Sequence, residues 1–200
     1  MNNAYEIVKE IRTYAKENNV PIMLDDGIEF LTKYIVENKI NTVLEIGTAI
    51  GYSAIMMALA NPNLTVTTIE RDEKRYLEAL KNIKKLNLEN RITLIFNDAL
   101  DVNIEGKYDL IFIDAAKAQS IKFFEKFERN LNPGGVIVTD NLEFHGLVKK
   151  KEEEIESRNL RALVRKVKEY INFLKANDRY ETEFLSIGDG ISVSKKTENK

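Results

Sequence analysis

Apolar positions recur along this chain with two different periods, and the change from one to the other organises it. From Ala4 to Asn18, the residues Ile7, Val8, Ile11 and Tyr14 stand at helical spacing with charge between them, which predicts an amphipathic helix packed on the domain or on a second subunit. A second helix is expected from about Asp25 to Asn38, after Pro21. From Thr42 short β-rich runs alternate with helical segments: TVLEI, a helix from Tyr52, TVTTIE, a helix over 72–87, ITLIF, YDLIFID, a helix over 118–131, and VIVTD. That alternation predicts βαβ units and a parallel sheet. A long charged helix, about Glu152 to Ala176, precedes two more β-rich runs, YETEFLSI and GISVS, separated by Gly188-Asp189-Gly190. An Asp-Gly pair is a hairpin signal, so the C-terminal edge of the sheet is expected to be antiparallel. No repeat and no linker rich in Pro, Gly or Ser divides the chain, which reads as one α/β domain, with N-terminal helices over 1–40 and the core over 41–200.

Composition narrows the chemistry. The 200 residues hold no cysteine and one histidine, which excludes disulfides, thiolate zinc, iron–sulfur clusters, a cysteine nucleophile and any multi-histidine metal site. With 30 basic against 32 acidic residues the whole chain offers polyanions no general attraction, so nucleic-acid binding has to be local. The longest apolar run, Ala54 to Ala60, is far shorter than the roughly 20 residues of a membrane span, and the N-terminus is too charged for a secretory signal. No membrane partner is expected, and the expected location is the cytoplasm.

In an open parallel sheet, ligands bind at the carboxyl ends of the strands. Four of these ends carry carboxylates: Glu45 with Gly47, Glu70, Asp114 and Asp140. The turn after the first strand reads Gly47-x-x-x-Gly51, not the G-x-G-x-x-G of a dinucleotide site whose middle glycine lets backbone touch a pyrophosphate. It suits a ligand without phosphates. Glu70, 19 residues after Gly51, stands where a carboxylate can accept both hydroxyls of a ribose, and a positively charged nucleoside would suit Glu45. S-adenosyl-L-methionine is such a molecule, with its sulfonium and amino-acid end near Gly47 and its adenine near Asn97-Asp98-Ala99. The bland alternative is that Gly47 and Gly51 merely permit a tight turn. Ser53, at the helix start, is equally a cap or a cofactor contact.

Asp114 and Asp140-Asn141 end the fourth and fifth strands and are expected to be neighbours. Two carboxylates and an amide oxygen make a hard, oxygen-only site suited to Mg²⁺ (or Mn²⁺) and poor for zinc. Helix capping by one Asp and an Asx turn at the other is the structural alternative.

VLEIGTAIGYSA, TIERDEKRYLEALKNI, IFIDAAKAQ and NPGGVIVTDNLEFHGLV resemble the cation-dependent O-methyltransferases, the group of the catechol and caffeoyl-CoA enzymes, over roughly residues 20–195. The resemblance implies a Rossmann-like S-adenosylmethionine-dependent methyltransferase fold, a mostly parallel seven-stranded sheet with an antiparallel C-terminal edge and helices on both faces. It also implies that Asp114, Asp140 and Asn141 hold the metal, and that Glu45, Gly47, Ser53, Glu70 and Ala99 contact the cofactor, with Asp114 serving both. Met23, in VPIMLDDG, matches the segment that covers the cofactor, and Lys117 takes the position of the group's general base. To act as one, the lysine must shed its proton, which a neighbouring divalent cation favours by repulsion. A surface lysine that merely snorkels is the alternative. Within the group, VPIM, IGTAIGYSAI and DNLEFHGLV with RNLRALVRKVKEYINFL are most similar to the bacterial enzymes that methylate the 5-hydroxyuridine at the tRNA wobble position to 5-methoxyuridine. The resemblance further implies a homodimer. Two departures stand out: Gln119-Ser120 replaces the usual Gln-Tyr after Lys117, and the N-terminal segment is short.

Arg158, Arg161, Arg165 and Lys168 recur at helical spacing, with Lys166 nearby, and form a stripe that could track an RNA backbone. The alternative is a solvated helix whose first turns pair these cations with Glu152, Glu153, Glu154 and Glu156. Phe144 is a candidate stacking platform for a splayed base, His145 a candidate to orient substrate, and Pro133-Gly134-Gly135 reads as the turn feeding strand five. Three functions follow: a tRNA wobble methyltransferase, a small-molecule catechol or caffeoyl-CoA type O-methyltransferase, and a noncatalytic RNA-binding module. The joint presence of Asp114, Asp140, Asn141 and Lys117 speaks against the last.

Overall fold

In the computed structural model, which describes residues 2–197, two helices, α1 (Asn2–Glu17) and α2 (Asp25–Glu37), lead into a run of alternating strands and helices. These are β1 (Thr42–Ile46), α3 (Tyr52–Ala60), β2 (Thr65–Glu70), α4 (Glu73–Lys85), β3 (Ile92–Phe96), β4 (Tyr108–Ile113), α5 (Ser120–Phe127) and β5 (Leu131–Thr139). The helix α6 (Arg158–Ala176) and the hairpin β6 (Tyr180–Leu185) and β7 (Ile191–Lys196) complete the chain. All seven strands join one sheet in the order β3-β2-β1-β4-β5-β7-β6, with β7 antiparallel to both β5 and β6 and every other pair parallel.

Alternation along each strand feeds two cores, one on each face. On β1, Val43 joins the cluster with Ile7, Ile11, Leu31 and Ile35 of α1 and α2, and Leu44 and Ile46 join the one with Phe123, Phe124 and Tyr170 of α5 and α6. The N-terminal helices therefore share a continuous core with the sheet. Because both faces are covered, a ligand of the parallel strands is left the carboxyl ends, and it is there that the chain opens.

The helix expected over 118–131 is shorter. It begins at Ser120 after a 3-10 turn, Lys117–Gln119, and yields at Leu131 to strand. Pro133, Gly134 and Gly135 lie inside β5 rather than in a turn before it, where the pairing with β4 shifts register between Tyr108 and Leu110. Gly134 is left-handed there (φ 73°), and a Cβ on Gly135 would meet the Asp109 carbonyl oxygen at 2.9 Å. The helix expected from Glu152 starts six residues later at Arg158, capped by the Ser157 hydroxyl, and Glu152–Glu154 form an isolated 3-10 turn. The β6–β7 connection spans five residues, 186–190, between the paired Leu185 and Ile191.

Candidate active site

A cleft of about 510 Å³ opens at the carboxyl ends of β1, β2, β4 and β5. Gly47 forms its tightest point. Its φ is 99°, its N–H bonds the Ile69 carbonyl at 3.1 Å, and a Cβ would stand 2.3 Å from the Asp114 carbonyl oxygen, so only glycine fits between β1 and β4. Gly51, at φ 87°, delivers the chain into α3.

Glu70 is set by three backbone donors: the Ala49 N–H reaches one oxygen at 2.8 Å, and those of Arg71 and Asp72 reach the other at 2.9 and 2.8 Å. The carboxylate is thus fixed where it faces the cleft. Beyond it Ala99 lines the wall, and Asp98, bonded to the Leu100 N–H and to Arg71, is held below the usual carboxylate range, chiefly by that backbone bond. Met23 and its neighbours Pro21, Ile22 and Leu24 close the cleft from the side of α2.

Glu45 does not reach the cleft. It is 0% exposed, beneath the floor, and accepts hydrogen bonds from the hydroxyls of Ser53 and Thr68, each at 2.5 Å. Ser53 does line the cleft, so Glu45 touches it only through that hydroxyl. Burial pushes the Glu45 carboxyl up to about 7, and the two hydroxyl bonds only partly oppose this.

On the other wall, Asp114 and Asp140 follow adjacent strands, their N–H groups bonding the Ile46 and Ile113 carbonyls at 3.0 and 3.3 Å. The Lys117 ammonium bridges them, donating to Asp114 Oδ1 at 3.1 Å and to the Asp140 carbonyl oxygen at 3.0 Å. Asp114, Lys117 and Asn141 line the cleft; Asp140 is 2% exposed, and its carboxylate accepts from the Asn141 N–H at 2.7 Å. Desolvation, then the nearby Asp114 charge, pushes the Asp140 carboxyl up to about 7. This oxygen-only set of two carboxylates and a carboxamide fits a hard divalent cation, which would offset that repulsion.

Asn141, Phe144, His145 and Gly146 all have left-handed backbone, with φ of 64°, 46°, 55° and 75°. Phe144 and His145 line the cleft with their rings stacked at 5.9 Å, and the imidazole is 77% exposed. Asp189 from the β6–β7 turn also lines the cleft, at its buried edge. The sequence marks it only as part of the Gly188-Asp189-Gly190 turn, because its partner, the His145 N–H, lies 44 residues earlier in the chain. Thr48 and Thr68, bonded to each other at 2.5 Å behind Glu45, were also missed, and nothing in the local pattern marks them.

The basic stripe is largely committed to the protein itself. Arg161 donates to the carbonyls of Ile155 and Glu156, Arg165 pairs with Glu152 at 3.3 Å, and Lys168 donates to the Lys150 carbonyl at 3.4 Å. Arg158 stands exposed at the start of α6. The pairing of Arg165 is thus with a residue of the preceding 3-10 turn, not of the same helix. No helix among the described residues is long and apolar enough to cross a membrane.

A family model described as O-methyltransferase matches residues 2–197. The tapetum-specific methyltransferase 1 of Arabidopsis thaliana is 30% identical over 96% of this chain and 87% of its own length, and a caffeoyl-CoA O-methyltransferase of Populus kitakamiensis is 28% identical over the same shares. Among solved structures, a Staphylococcus aureus protein provisionally described as a caffeoyl-CoA O-methyltransferase superposes with a TM-score of 0.90 at 40% identity, covering 95% of this chain and 92% of that one. A Bacillus cereus O-methyltransferase in complex with S-adenosylhomocysteine gives 0.82 at 25% identity, over 96% and 91%.

Proposed function

This chain belongs to the O-methyltransferase family, and from that premise we propose that it transfers a methyl group from S-adenosylmethionine to a hydroxyl held beside a divalent cation, Mg²⁺ or Mn²⁺. The observation that carries the proposal is the meeting, in one cleft, of Glu70 preset by three N–H groups with Asp114, Asn141 and Lys117 across from it. Glu70 would accept the ribose hydroxyls, Ala99 would border the adenine, the Gly47 turn and Ser53 would border the amino-acid end, and Met23 would cover the nucleoside. Glu45 acts through Ser53.

Asp114, Asp140 and Asn141 would hold the cation, which when bound supplies acidity to the acceptor hydroxyl and fixes its oxygen. Lys117, tied to both strand ends, would take the hydroxyl proton as the neutral amine, having released its own proton to solvent under the repulsion of the bound cation. When bound, S-adenosylmethionine would supply the methyl group, its carbon–sulfur bond breaking as the acceptor oxygen bonds the carbon and the sulfonium leaving as a neutral thioether. Holding both reactants in one rigid cleft is the main source of rate, since alignment replaces a bimolecular encounter.

For the acceptor we propose 5-hydroxyuridine at the tRNA wobble position. Its 5-hydroxyl lies beside the 4-carbonyl, the same vicinal oxygen pair that a catechol offers. The sequence over 149–168 carries eight Lys or Arg against four Glu, a local excess in a chain of net charge −2, and it borders the Phe144–His145 mouth. A second reading, a small phenol, is favoured by the internal bonding of Arg161 and Lys168, which leaves fewer cations for phosphates. Labelled cofactor, Mg²⁺ and bulk tRNA from a strain lacking the enzyme, followed by nucleoside digestion, decides: label in 5-methoxyuridine supports the tRNA reading, and label on catechols but never on tRNA refutes it. We also propose a homodimer; sedimentation at twice the 23.0 kDa chain mass supports it and a monomer refutes it.

A further inference from the structure

The loop after β5 winds left-handed through Phe144, His145 and Gly146 in succession, a conformation that persists only where its surroundings over-determine it. The β6–β7 hairpin tip does so. The Glu143 N–H bonds the Asp189 carbonyl at 2.7 Å, the Leu142 N–H bonds the Gly190 carbonyl at 2.8 Å, and the His145 N–H bonds Asp189 Oδ1 at 2.5 Å. Asp189 Oδ2 is buried, has no hydrogen-bond partner among the described residues, and faces His145 Nδ1 at 3.5 Å. A Cβ on Gly190 would meet the Glu143 nitrogen at 2.7 Å, so tip and loop are in backbone contact.

The same tip is anchored on the opposite wall. The Gly188 N–H bonds Asp26 Oδ2 at 2.9 Å, Asp26 Oδ1 accepts from the Gly27 N–H at 3.0 Å, and a Cβ on Gly27 would lie 3.2 Å from Met23 Cε. The hairpin tip therefore spans from the segment that covers the cofactor side of the cleft to the loop that carries Asn141, Phe144 and His145.

We infer that the β6–β7 tip is a strut that sets the acceptor half of the cleft, and that Asp189 is its positioning residue, holding the 142–146 loop wound so that Phe144 and His145 line the mouth. This rests on the proposed methyl-transfer reading for its kinetic consequence, not for its structural one. Asp189 touches no reacting atom; it acts through the His145 amide.

The test pairs Asp189→Ala with Asp189→Asn, whose carboxamide oxygen can still accept the His145 N–H. Hydrogen exchange across residues 142–147 should speed at least tenfold in D189A and stay within threefold of wild type in D189N. S-adenosylhomocysteine affinity, measured by calorimetry, should stay within threefold in both. With tRNA bearing 5-hydroxyuridine, D189A should raise KM at least tenfold with kcat nearly unchanged, and D189N should restore it. Unchanged exchange in D189A overturns the strut whatever the activity. Faster exchange in a protein whose wild type methylates no tRNA supports the strut and rejects the acceptor instead.

Discussion

Replacing Glu45 by Gln removes one buried ionisable group while keeping its hydrogen bonds: the Gln oxygen accepts from Ser53, and its N–H₂ donates to Thr68, whose hydroxyl can turn to Thr48. The Glu45 carboxyl rises from an ordinary 4.5 to about 7 in the fold, so the native state binds the proton more tightly than the unfolded chain. The sign follows: its contribution is fully present below about 4.5 and is lost as pH climbs through about 7. A shift of that size corresponds to about 3 kcal/mol of stability lost by wild type and not by the variant. Urea denaturation without cofactor and with a chelator, at pH 4 through 8, gives the comparison. Asp140 titrates in the same window in both proteins and drops out of the difference. The advantage of Glu45→Gln should grow with pH by about 3 kcal/mol across this range. Two curves that stay parallel would refute the reasoning, since Glu45 would then be charged, or protonated, equally in both states.

Gly47→Ala should cost more than about 2 kcal/mol in denaturant titration, because a left-handed backbone and a Cβ 2.3 Å from the Asp114 carbonyl cannot both be accommodated; a neutral substitution would mean that β1 and β4 can part there freely. Arg161→Ala should lower stability by about 1–3 kcal/mol through its two lost carbonyl bonds, whereas Arg158→Ala should change it by less than about 0.5 kcal/mol. In tRNA-binding assays the order should reverse for Arg158, whose loss weakens binding and flattens the salt dependence; equal binding by wild type and R158A would remove that residue from the RNA face.

The sheet and the cleft were legible in the sequence because both depend on local rules. Period-2 runs such as TVLEI and YDLIFI bury alternate residues on two faces, and a parallel sheet leaves its ligand only the strand ends. Gly47, Glu70, Asp114 and Asn141 could be expected to line the cleft because they sit at or just past those ends, and Ser53 because it opens the helix that follows the first of them. What was not legible depends on distant partners. Glu152–Glu156 favours helix by composition, yet Arg161 draws the Ile155 and Glu156 carbonyls away, and the helix waits for the Ser157 cap. The depth of Glu45 depends on Thr68 of the neighbouring strand, and the role of Asp189 on a loop 44 residues earlier in the chain. Neither leaves a periodic trace. The stripe on α6 was visible as a pattern, but its partners in the 150–156 segment were not.

Asp114, Asp140 and Asn141 are proposed to place one divalent cation beside the acceptor hydroxyl, across from a bound S-adenosylmethionine. The most direct measurement is single-turnover methyl transfer by the full chain, stripped with EDTA and titrated with Mg²⁺, for wild type and Asp140→Asn. No transfer is expected in EDTA, full recovery with Mg²⁺ in wild type, and recovery in D140N only at much higher Mg²⁺, with S-adenosylhomocysteine binding retained throughout. Equal transfer by wild type in EDTA and in Mg²⁺ would contradict that placement.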